Sequence, residues 1–290
     1  MPFATAAFAQ FVAPARLRPA LWRLLLGLVL TVGIYAAVVI AAFSLAPVMV
    51  ADLAWSGTTP LSLSLMMGTF AGAIVGVFLA VRLLHARSPA TLFGSRARVI
   101  RHFGLALGVF AVAQGLNLCL WAVIYDAAPA HRLGHVLAWL PWAALIVLIQ
   151  TGAEELVFRG YIMQQLAARF RSPAIWFVLP PVLFAVLHWD PATNGSLNVA
   201  VVVMIGVTGL AWADLTRISG SIGAAWGWHF ANNAFLLIVL GNAGQMDAFA
   251  AYSTPYAITD MPLPPILADL VSQTAVWLIL RRLVAPAAPK

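Results

Sequence analysis

Apolar stretches of about 20 residues recur along the whole chain, each long enough to cross about 30 Å of hydrocarbon at 1.5 Å per residue. Inside a bilayer every backbone N–H and C=O must find its partner within the protein, so such stretches are expected as helices. They fall near 24–45, 60–82, 103–125, 136–165, 173–190, 197–215, 220–240 and 263–284. This predicts an all-α, polytopic membrane protein with about eight transmembrane helices. Composition agrees: 63% of residues are apolar, only 9% are charged and mean hydropathy is +0.95. A soluble domain with so few charges would lack the polar groups to cover its surface.

The charges lie between the apolar stretches. The net charge of +7 therefore does not form a nucleic-acid patch; it follows the membrane pattern, and the partner expected from it is lipid. With the N-terminus inside, Arg16, Arg18, Arg23, Arg82, Arg87, Arg96, Arg98, Arg101, Arg159, Arg169, Arg171, Arg217, Arg281, Arg282 and Lys290 share one side, and Arg132 alone lies opposite. Lys and Arg concentrate on the cytoplasmic side of membrane proteins, so both termini are expected there. Arg outnumbers Lys fifteen to one and Ala is abundant, the bias of a GC-rich bacterial genome, so a bacterial inner membrane is the expected location. Cys119 is the only cysteine, which leaves no intrachain disulfide. The first apolar run is too long for the core of a cleavable signal peptide. No internal repeat or linker interrupts residues 1–290, which reads as a single transmembrane domain. Gly68, Gly72 and Gly76 form two overlapping GxxxG steps, suited to close helix packing or to a dimer interface.

Only two glutamates occur, Glu154 and Glu155, and both sit inside the fourth apolar stretch. Ionisable groups at that depth are costly and usually line a polar cavity or find partners. Glu155 and Arg159 are spaced i,i+4 with the acid first, the favourable order for a helical ion pair. Glu154 points about 100° away around the helix and is left without that partner. Taken alone, the two acids fit a buried ion-pair network equally well. The fifth stretch adds Phe184 and His188, four residues apart, and the seventh adds His229 and Asn233, also four apart and so on one face. A base, two imidazoles and an amide are what is needed to activate water against a carbonyl. Counting residues from the turn near Arg171 and Pro173 puts Glu154 and His188 at similar heights on an antiparallel hairpin, nearer the cytoplasmic face. Asp269 reads as an acid in the first turns of the last helix, Asp214 with Arg217 as an interfacial pair, and Gln114, Asn117 and Gln150 as interhelical hydrogen-bonders. His85, His102, His131 and His135 fall in loops or at interfaces.

The run Glu154-Glu155-Leu156-Val157-Phe158-Arg159-Gly160 resembles the EExxxR motif of the CPBP family, the CAAX-protease and bacteriocin-processing (Abi) intramembrane endopeptidases. Phe184 to His188 resembles that family's FxxxH motif, and His229 to Asn233 its HxxxN motif, preceded by Ser219-Gly220-Ser221. The resemblance spans about residues 136–240, the expected catalytic core. It implies a protease with an active site on the fourth, fifth and seventh helices, and a membrane-associated peptide or protein as its substrate. Glu154 would be the general base, His188 would help hold the water, His229 and Asn233 would stabilise the oxyanion, and Glu155 and Arg159 would support them. Glu154, His188 and His229 also have the donor types for Zn²⁺, although the HExxH spacing is absent; a metal-free reaction at Glu154 is the other possibility. The competing reading is a non-catalytic membrane scaffold or bacteriocin-immunity protein. A secondary transporter is disfavoured by the lack of internal repeats.

Overall fold

The structure is a computed structural model that describes residues 3–49, 57–124, 127–254, 256, 259 and 263–285. It is 79% helical, and each of the eight predicted stretches falls on a helical segment. The segments are α2 (Leu21–Met49), α3 and α4 (Pro60–Gly68 and Ala71–Leu83), α5 (Arg96–Ile124) and α6 (Leu133–Glu155) with α7 (Gln164–Arg169). They continue with α8 (Leu179–Val186), α10 (Asn198–Ser219), α11 (Gly223–Ala234) and α12 (Leu263–Leu283). Among the described residues, five helical segments are long and apolar enough to cross a membrane: Leu21–Leu45, Pro60–Leu83, Arg96–Cys119, Leu133–Arg169 and Pro191–Ser219. The segment Ala174–Val186 is apolar but shorter.

Two short helices, α1 (Ala6–Val12) and α9 (Pro191–Asn194), complete the set. The all-α expectation needs one amendment. Three short strands, β1 (Ala128–Pro129), β2 (Leu240–Asn242) and β3 (Tyr252–Thr254), form a sheet in the order β1-β3-β2, antiparallel then parallel. These strands connect helix ends, where backbone groups without helical partners must find others.

Helix boundaries follow local chemistry. Thr59 caps α3 by accepting from Ser62 N, Ser62 reciprocates, and Pro60 occupies the first helical position, where no N–H is required. Gly220 closes α10 in the left-handed region (φ +66), packed so closely on the Ala7 carbonyl that a side chain would not fit. That contact seats α1 beneath α10, where Phe8 stacks on Trp176 at 4.9 Å and Thr5 Oγ1 donates to the Arg217 carbonyl at 2.6 Å.

Small residues set the helix spacing. On α4, a Cβ at Gly76 would lie 2.7 Å from Thr31 Cα, and one at Gly72 would lie 2.9 Å from Val38, so these two glycines seat α4 on α2. Gly68, the third member of that stripe, has open space beside it. On α11, Gly223 and Gly227 meet the α5 backbone at Val99 and Phe103 in the same way. The outward face of α2 remains apolar and exposed (Val29 68%, Ile40 65%), as a lipid-facing surface is.

Candidate active site

Glu154 and Glu155 end α6, and the next turns, Leu156–Met163, are π-helical. A π turn widens the helix by one residue and re-aims the side chains that follow it. Arg159 lies in this wide turn and is fully enclosed at 1% exposure, so this charge sits within a helical segment and not between two apolar stretches. Its Nη1 meets Glu155 Oε1 at 2.9 Å, and its Nη2 donates to the Gly209 carbonyl of α10 at 3.2 Å. The guanidinium is held between two rings, 5.0 Å from the Phe184 centroid and 5.1 Å from that of Trp212. The expected Glu155–Arg159 pair therefore exists, and it ties α6, α8 and α10 together.

His229 of α11 joins the two glutamates. Its Nδ1 lies 2.9 Å from Glu155 Oε1, and its Nε2 lies 3.3 Å from Glu154 Oε2. The first contact is a hydrogen bond. An ionised carboxylate only accepts, so Nδ1 carries the proton and Nε2 faces Glu154. The second contact lacks hydrogen-bond alignment, and Glu154 Oε2 is buried without a hydrogen-bond donor among the described residues. The imidazole is clamped from behind by Trp212, stacked at 4.2 Å and 21°. Asn233, one turn on, donates from Nδ2 to Gln150 Oε1 at 2.9 Å and lies 3.5 Å from His229 Nε2.

His229 Nε2 is thus in contact with both Glu154 and Asn233. His188 is joined to them through a ring: its Nδ1 donates to the Phe184 carbonyl at 2.8 Å, its imidazole packs on Phe184 at 4.7 Å, and Phe184 in turn meets His229 edge-on at 6.0 Å. Among the described residues no three His, Cys, Asp or Glu side chains come close enough together to hold a metal ion. Glu154, His188 and His229 therefore do not fit a metal ion in this geometry.

Glu154 is 13% exposed, Glu155 not at all. The exposed part of Glu154 lies in a groove of about 360 Å³ between α2, α4, α6 and α8, whose other walls are apolar, among them Leu28, Val32, Phe158 and Leu187. The helical phase of the two acids separates them as the sequence implied.

Other polar residues have structural partners. Asp214 pairs with Arg217 at 2.6 Å and also with Arg281 at 3.1 Å. Gln114 reaches across to Asp269 at 3.1 Å, whereas Asn117 bonds to Gln114 within its own helix. Asp269 is more than a helix-terminal charge, because Gln273 of α12 also donates to it at 3.4 Å. His85 is buried and bonded to Tyr161 at 2.9 Å. Sequence reasoning missed Trp212 and Asn232. An aromatic ring in an apolar helix carries no signal of its own, and Asn232 shows its role only through partners on α12.

The model of the family described as type II CAAX prenyl endopeptidase Rce1-like matches residues 136–235, a stretch that contains all six of Glu154, Glu155, Arg159, His188, His229 and Asn233. A Bacillus subtilis (strain 168) protein named "Uncharacterized protein YyaK" is 31% identical over 174 residues, 58% of this chain and 58% of its own length. The chain thus spans less than two thirds of the relative it matches. No solved structure matches. Residues 136–235 of this integral membrane protein thus match the model of the Rce1-like, CAAX-protease family, the family that its three motifs resemble.

Proposed function

We propose that the protein is an intramembrane endopeptidase that hydrolyses a peptide bond of a membrane-associated or lipidated protein by water activated at Glu154. The observation that carries this reading is the placement of Glu154. Its side chain lines an apolar groove while its buried Oε2, without a hydrogen-bond donor among the described residues, faces an imidazole already fixed by Glu155. Buried polar atoms are normally satisfied, and one left open beside a cavity is suited to a water or a substrate group.

The chemistry follows from the donors. Glu154 removes a proton from water as its oxygen attacks the scissile carbonyl carbon. The carbonyl π pair moves to oxygen, and the oxyanion is met by the Asn233 Nδ2 N–H and by the Nε2–H that His229 carries when its ring is doubly protonated, its Nδ1–H staying on Glu155. Glu154 then delivers its proton to the leaving amine as the C–N bond breaks. His188, anchored by its Nδ1–H on the Phe184 carbonyl, presents Nε2 as an acceptor to help hold the water. Glu155 and Arg159 keep the His229 tautomer and ring fixed. The apolar groove suits an apolar flank on the substrate.

The reading includes eight membrane crossings in one domain spanning residues 1–290, with both termini cytoplasmic in a bacterial inner membrane. The segment Leu133–Arg169 has 37 residues, or about 55 Å of helix against about 30 Å of hydrocarbon, so an Arg-bearing end protruding into the cytoplasm is compatible with it. The test is a comparison of membrane proteomes between wild-type cells and cells carrying Glu154→Gln. At least one protein should persist unprocessed in the variant. Identical proteomes, with the variant inserted at normal abundance, would overturn the reading.

A further inference from the structure

The amide of Asn233 has two faces of similar shape and opposite chemistry. Only the orientation that turns its N–H groups toward His229 and Glu154 can stabilise an oxyanion. What fixes that orientation runs from Trp228 of α11 through Gln273 of α12, a helix outside the stretch that matches the protease family.

The chain of hydrogen bonds has a direction because it starts at a group that can only donate. Trp228 Nε1–H donates to Gln273 Oε1 at 2.7 Å. Gln273 must then present Nε2, which donates to Asn232 Oδ1 at 3.0 Å and to Asp269 Oδ1 at 3.4 Å. Asp269 Oδ1 also accepts from Gln114 Nε2 at 3.1 Å, so α5 braces the same point. With its oxygen engaged, Asn232 presents Nδ2 to Asn233 Oδ1 at 3.2 Å. The Asn233 oxygen is thereby turned away from the site, and its Nδ2 is left to donate to Gln150 at 2.9 Å and to face His229 Nε2 at 3.5 Å. Each link is set by the one before it. Flipping any amide would bring two donors or two acceptors together, a costly mismatch in a buried network.

We infer that Asn232, held by Gln273 and Asp269 of α12, is a positioning residue that locks the Asn233 amide with its N–H groups facing the reaction site. This rests on the role proposed above for Asn233. The geometric part can be tested without turnover. The chain has six asparagines, so protein labelled with ¹⁵N-asparagine in detergent micelles gives six side-chain amide pairs. The Asn233 pair is identified by its loss in Asn233→Ala. Its exchange with D₂O should be slow in the wild type and at least tenfold faster in Asn232→Asp, a near-isosteric change that keeps an acceptor but no donor. The same should hold in Gln273→Leu. Unchanged exchange in both variants overturns the lock.

The catalytic part uses an internally quenched farnesylated peptide in proteoliposomes. Asn232→Asp and Asn232→Ala should each lower kcat roughly tenfold at unchanged KM, and should cause no further loss in an Asn233→Ala background. An equal fold-loss in both backgrounds, or a change confined to KM, overturns the assignment. If the wild-type protein leaves this peptide intact, the hydrolysis reading is what fails, and the exchange rates still decide the positioning.

Discussion

Arg159 offers the sharpest test of how the site is held together. Its guanidinium and the Glu155 carboxylate are 1% and 0% exposed and 2.9 Å apart. Removing one member of such a pair leaves the other charge buried without compensation, which costs about 3–5 kcal/mol. Arg159→Met keeps the length of the side chain and removes the charge; Glu155→Leu does the reciprocal. If the two acted independently, the double variant would lose about 6–10 kcal/mol, the sum of two such penalties. With both charges gone, what remains is the loss of the His229 Nδ1 hydrogen bond, about 1 kcal/mol, and of the contacts with Phe184 and Trp212, about 2 kcal/mol when desolvated. The double variant should therefore be no less stable than either single one, with a coupling of about 3–7 kcal/mol. The assay is a double-mutant cycle on equilibrium unfolding in mixed micelles. Losses that add to within about 0.5 kcal/mol would refute the account of a mutually dependent buried pair.

Further predictions concern packing, pH and metals. Gly76→Val should push α4 off α2, because a Cβ there lies 2.7 Å from Thr31 Cα; the expected cost in the same unfolding assay is about 1–3 kcal/mol. Gly68→Ala, with nothing within 4 Å, should be neutral or slightly stabilising. Burial foremost, then the charges of Arg87, Arg23 and Arg18, lowers His85 from 6.5 to about 4, against an upward pull from its bond to the Arg18 carbonyl. The unfolded chain therefore takes up this proton first, so stability should be full above about pH 6.5 and fall as pH drops toward 4. His85→Gln should flatten that slope in thermal melts recorded between those pH values. Prolonged treatment with 1,10-phenanthroline should leave peptide cleavage within about twofold of the untreated rate, since the described residues hold no three-ligand cluster; loss of activity restored by Zn²⁺ would argue against the Glu154 mechanism.

Much of the frame was legible in the sequence because membrane helices are written in local terms. Hydrocarbon thickness fixes the length of an apolar run, and the cost of buried charge makes Glu154 and Glu155 conspicuous. Helical periodicity was enough to give Arg159 to Glu155 and to turn Glu154 elsewhere. It was not enough to show that His229 touches both acids, because that depends on how closely α11 approaches α6. The approach of α11 to α5 is set by Gly223 and Gly227, residues that say nothing about chemistry by themselves. The π turn after Glu155, the ring of Trp212 behind His229 and the link from α12 to Asn233 are likewise products of packing between distant segments. They have no signature at any fixed sequence spacing.

The most direct test of the central claim is the turnover of purified Glu154→Gln protein in proteoliposomes, assayed on the same farnesylated quenched peptide as the wild type. Gln keeps the shape and hydrogen-bonding reach of Glu but cannot take the proton from water. The predicted result is a fall in kcat of about 10²–10⁴-fold, the contribution of a positioned general base, with an unaltered melting temperature. A Glu154→Gln protein that folds normally and cleaves within a factor of about two of the wild-type rate would contradict the account.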